Sequence, residues 1–71
     1  MLSKEKTREI LNSFSKECYD FWMREGNTKE EAYLNMISDI KSIKHDPYVP
    51  CGDLLDVKTK EAFIEKLVER K

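Results

Sequence analysis

Seventy-one residues, 39% apolar and 38% charged, make at most one small domain, and chains near this size bury only about 60% of the surface that unfolding exposes. That leaves little room for a deep substrate cleft. The 13 basic and 14 acidic residues are evenly spread, five and five in 1–25, three and four in 26–46, five and five in 47–71, which argues against the clustered basic face of a nucleic-acid binder.

The apolar residues are patterned, so the chain is expected to fold rather than stay disordered. A charged fraction of 38% exceeds the roughly 25% of an average globular domain and suits short helices with solvated outer faces. Leu2 is followed at once by SKEKTRE, which does not read as a secretory leader, and no apolar run nears the ~20 residues of a membrane span. The expected setting is the cytoplasm, with Cys18 and Cys51 as two reduced thiols and a disulfide between them the alternative.

The first helix is expected from about Lys4 to Glu25. Ser3 suits its N-cap, because a hydroxyl there accepts from an orphan amide of the first turn. Gly26 suits its end, because glycine tolerates the left-handed backbone just past a helix. At ~100° per residue, Ile10, Leu11, Phe14, Cys18, Phe21 and Trp22 form one broad stripe expected to be core. Tyr19 and Met23 extend that apolar arc further round the helix than a small bundle needs.

A second helix, about 29–45, opens on Thr28-Lys29-Glu30-Glu31, a capping box in which the threonine hydroxyl and the Glu31 carboxylate satisfy backbone amides reciprocally. Ala32, Tyr33, Met36, Ile37, Ile40 and Ile43 fill an arc of about 140°, again the width of a core face. Leu34 falls at its edge. Lys44 and His45 suit the carbonyl-rich end, and Pro47 disfavours helix at Asp46. The short Gly26-Asn27 turn makes the first two helices an antiparallel hairpin.

The stretch HDPYVPCGD, residues 45–53, holds the only histidine, both prolines and one of two cysteines. Zinc normally takes four ligands arranged as short pairs, and His45, Asp46, Cys51 and the distant Cys18 match no such spacing. A Cys51–His45 nucleophile would also need an orienting group and oxyanion donors. A connector over 46–55 explains more residues: Pro47 and Pro50 stiffen an extended strap, Tyr48 and Val49 pack back on the hairpin, Gly52 supplies the turn and Asp53 caps the segment after it. Pro-Tyr-Val-Pro matches the minimal SH3 ligand pattern but lacks a basic anchor.

The third helix is expected over about 56–70, with Asp53 and Asp56 both suitable caps and a separate short turn at Asp53–Leu55 an open alternative. Val57, Phe63, Ile64, Leu67 and Val68 share one face. Lys60 falls within that arc, where its stem can lie over the core. Glu17, Asp20, Glu25, Glu30 and Glu31 alternate with cations as a solvated helix face does, rather than as catalytic pairs.

The expected fold is all-α: the hairpin (about 4–25 and 29–45) plus a C-terminal helix (about 56–70), a small three-helix bundle in one domain, 1–71. Trp, Tyr, Phe and Met are enriched at interface cores, so Tyr19, Trp22, Met23 and Leu34 are the candidate interaction surface, with Leu54 and Leu55 weaker candidates. The function expected is a non-enzymatic protein-interaction or regulatory module, a homodimer being one form of it, needing no cofactor or metal. The alternatives are a DNA-associated helical regulator, opposed by a connector longer than a helix-turn-helix turn, and a Cys/His- or metal-dependent enzyme.

Overall fold

The helices begin and end on the residues whose side chains can finish a hydrogen-bond ladder. In the computed structural model, which describes residues 1–45 and 52–70, α1 runs Lys4–Arg24, α2 Lys29–Lys41 and α3 Val57–Glu69. Two short 3-10 turns, Ile43–His45 and Gly52–Leu54, lie between α2 and α3. No strand occurs among the described residues. The chain is a small three-helix bundle, as its periodicity indicates.

Each cap has a mechanism. The Lys6 N–H donates to Ser3 Oγ at 3.1 Å. The capping box is complete, with Glu31 N–H on Thr28 Oγ1 at 3.1 Å and Thr28 N–H on Glu31 Oε1 at 2.9 Å. At the far end of α1, Gly26 takes φ 96°. Its N–H reaches the Met23 carbonyl, and the Asn27 N–H reaches the Trp22 carbonyl, the paired bonds of a Schellman ending. The Asn27 side chain donates to that same Trp22 oxygen.

The α-helical part of α2 ends at Lys41, four residues short of the expected 45. Ser42 caps it and the chain tightens into the Ile43–His45 turn. The tighter turn still delivers Ile43 to full burial. Of the two candidate caps for α3, Asp56 is the one used: its carboxylate accepts from the Thr59 N–H at 3.0 Å and from the Thr59 hydroxyl. Asp53 lies in the preceding turn, and the strap residues Asp46–Cys51 fall outside the described residues.

The core is built from Leu11, Phe14, Ala32, Met36, Ile37, Ile40, Ile43, Leu55 and Leu67, each large aliphatic stabilising the fold by about 1.5–3 kcal/mol on burial. Two sequence expectations are corrected here. Leu55, a candidate surface residue by sequence, is core. Val57 and Val68, expected on the buried face, are 52% and 48% exposed. The reason is Thr59, which is buried because Asp56 satisfies its hydroxyl. The buried face of α3 therefore centres on Thr59, Phe63 and Leu67, rotated away from the two valines.

A second buried threonine fixes the topology. The Asp56 N–H donates to Thr7 Oγ1 at 3.0 Å, and the Leu2 N–H donates to the Leu54 carbonyl at 2.8 Å. Both bonds hold the start of α3 against the start of α1. At the other end the Tyr33 hydroxyl donates to the Leu67 carbonyl. So α3 runs parallel to α1 and antiparallel to α2. Gly52 is needed for proximity rather than for an unusual turn: a Cβ there would overlap the Ile43 carbonyl oxygen and lie 2.9 Å from its carbon and 3.1 Å from Lys44 Cα.

Thr7→Val keeps the shape but removes the acceptor of the Asp56 N–H. The expected loss is about 1–3 kcal/mol, measured by urea unfolding. The Asp56 carboxyl lies below its ordinary pKa because both Thr59 hydrogen bonds favour its charged form, and the capping-box bonds do the same for Glu31. The unfolded chain therefore binds these protons before the folded one does. Their contribution is complete above the ordinary carboxylate range and is lost as pH falls through the lowered folded values. Asp56→Asn, which still caps, is expected to flatten that acid-side loss of Tm.

Candidate functional site

The four residues singled out by composition are placed on two flanks of α2. Trp22 is half-buried, and its indole Nε1–H donates to Asp39 Oδ2 at 2.8 Å. Side chains on a helix lean toward its N-terminus, so in an antiparallel pair Trp22 leans back along α1 and Asp39 leans to meet it. Leu34 projects from α2 about 140° away from Asp39 and is 39% exposed. Tyr19 is half-buried, packs against the core and lines an open cleft with Lys29, Glu30, Tyr33 and Arg70. Met23 is half-buried in the last turn of α1.

Phe21 joins this set, although its periodicity assigned it to the core. It is 46% exposed and stands edge-on to Trp22, ring centroids 5.1 Å apart at 84°. It lies on the core stripe of α1 but in the last turn, where the chain is already reversing into α2. The stripe runs on past the layer that covers it, and that end position was the available sequence signal. The pair presents an aromatic edge whose orientation is fixed from behind by Asp39.

A second feature escaped the sequence because no single segment shows it. Lys4, Arg8 and Asn12, spaced four apart on α1, face Lys58, Ala62 and Lys66, spaced four apart on α3, across a groove of about 370 Å³ floored by Thr59 and Phe63. Each helix reads as charge-balanced, yet the parallel pairing sets four cations along one groove. Among the described residues none of the four is within ion-pair distance of a carboxylate; the pair that does form is Lys6–Glu9 at 3.7 Å. Lys4 and Lys58 also add to the lowering of the Asp56 pKa, behind the Thr59 hydrogen bonds.

Of the residues weighed for metal or nucleophilic chemistry, Asp46 and Cys51 lie outside the described residues. Cys18 is half-buried on α1 against the core. Among the described residues no helix is long and apolar enough to cross a membrane.

Asp39→Ala is expected to cost about 1–2 kcal/mol, because it leaves a half-buried indole donor unpaired. It should also move the Trp22 emission, so fluorescence during urea unfolding reads both effects. No family model, curated protein or solved structure matches this chain.

Proposed function

We propose that this chain is a small non-enzymatic helical module that binds protein through the exposed aromatic end of its hairpin, in its simplest form a second copy of itself. One observation carries the reading: the exposed Phe21 ring stands edge-on to a half-buried Trp22 whose indole is held in one orientation by its hydrogen bond to Asp39. A large aromatic surface that is already ordered binds at a small entropic cost, and Trp is the side chain most often found to dominate an interface. A two-fold dimer needs only this one patch, because the same surface serves on both sides. Tyr19, Met23 and Leu34 are the further candidates for a partner surface, Leu34 on the opposite flank of α2 from Asp39. The proposed setting is the cytoplasm, where both cysteines would stay reduced.

Sedimentation equilibrium at low and high concentration tests the self-associating form. The apparent mass is expected to rise with concentration, and Phe21→Ser is expected to hold the chain as a monomer with unchanged helical circular dichroism. Leu34→Ser, on the other flank of α2, should change the mass less. A strict monomer at high concentration would remove the dimer.

A further inference from the structure

Helix α1 and helix α3 meet in a groove whose chemistry the aromatic end does not share. Lys4 and Arg8 stand one turn apart on one wall, and Lys58 and Lys66 stand two turns, about 12 Å, apart on the other. All four are exposed and, among the described residues, unpaired with any carboxylate. The carboxylate that acts on Lys4 and Lys58 is Asp56, whose Oδ2 already accepts from the Thr59 N–H and hydroxyl. Between the walls the floor is the buried Thr59 and the half-buried ring of Phe63.

We propose that this groove binds an acidic peptide segment of a partner protein, with carboxylates on the four cations and one apolar side chain on the Phe63 floor. Four exposed cations line this groove while one carboxylate, Asp56, acts on Lys4 and Lys58, so the groove keeps an excess of positive charge that an anionic ligand offsets. The apolar floor selects a chain that carries apolar groups between its charges, which a phosphate backbone does not offer. The extent of positive charge selects the same way. Glu5 and Glu9 on α1 and Glu61 and Glu65 on α3 lie outside the walls, and the whole chain is net −1. A duplex laid over this face would meet those carboxylates, whereas a single peptide segment fits between them. The proposal is independent of the aromatic end, which is built from other residues.

The test is a titration of the full chain against a fluorescein-labelled peptide of Glu-Glu-Leu repeats, read by anisotropy and by amide chemical shifts. The expected result is salt-sensitive binding with shifts centred on Arg8, Asn12, Ala62 and Lys66. The double variant Arg8→Gln, Lys66→Gln alters only exposed side chains, and its fold is checked by circular dichroism. It should bind about three- to tenfold more weakly, as expected for two solvent-exposed charge pairs. Phe21→Ser should bind with unchanged affinity. The proposal is overturned if the Glu-Glu-Leu peptide does not bind, or if a Gln-Gln-Leu peptide binds equally well. Unchanged affinity in the double variant, shifts centred on Trp22, or tighter binding of a random DNA duplex would also overturn it.

Discussion

Asp56 is the residue on which the arrangement of the three helices turns. Its backbone N–H donates to Thr7 in the first helix, and its carboxylate caps the third through Thr59. One residue thus starts α3 and sets where that start sits on α1. Both threonines are buried, and an unsatisfied hydroxyl in either position would oppose folding. The polar chain Thr7–Asp56–Thr59 therefore gives the bundle its register, while the aliphatic residues around it supply most of the driving force. In a chain this short, where apolar burial barely exceeds conformational entropy, such register is hard to obtain from shape alone.

The two candidate surfaces are consequences of that arrangement. Parallel alignment of α1 with α3 places Lys4 and Arg8, four residues apart, opposite Lys58 and Lys66, eight apart. The hairpin, closed by Gly26 and the capping box, ends while the apolar stripe of α1 is still running, and this leaves Phe21 in solvent. Neither surface requires an unusual backbone, and both lie at the margins of a bundle whose core is otherwise satisfied.

Much of the fold was legible because caps and periodicity are local. Ser3, Gly26 and Thr28-Glu31 mark helix ends by direct side-chain chemistry, and α2 buries the face its spacing indicates. The illegible features depended on contacts distant in sequence. Nothing local marks Thr7 and Thr59 for burial, since it is Asp56 that joins them, and without that link periodicity turns the expected face of α3 toward Val57 and Val68. Leu55 read as surface because nothing nearby shows that the Gly52–Leu54 turn carries it inward. The basic groove was invisible for a related reason. Charge summed along a segment cancels, while charge along one helix face does not, and only the pairing of two helices reveals the difference.

Gly52 carries a consequence for how the molecule tolerates change. With no room beside the Ile43 carbonyl for a Cβ at Gly52, the turns Ile43–His45 and Gly52–Leu54 meet closely, and that contact helps to register α2 against the start of α3. A segment whose ends already meet can lengthen at little thermodynamic cost, about 0.6 kcal/mol for each doubling. The stretch from Asp46 to Cys51 is thus the natural place for this small scaffold to accept inserted sequence, provided the residue after it keeps no side chain.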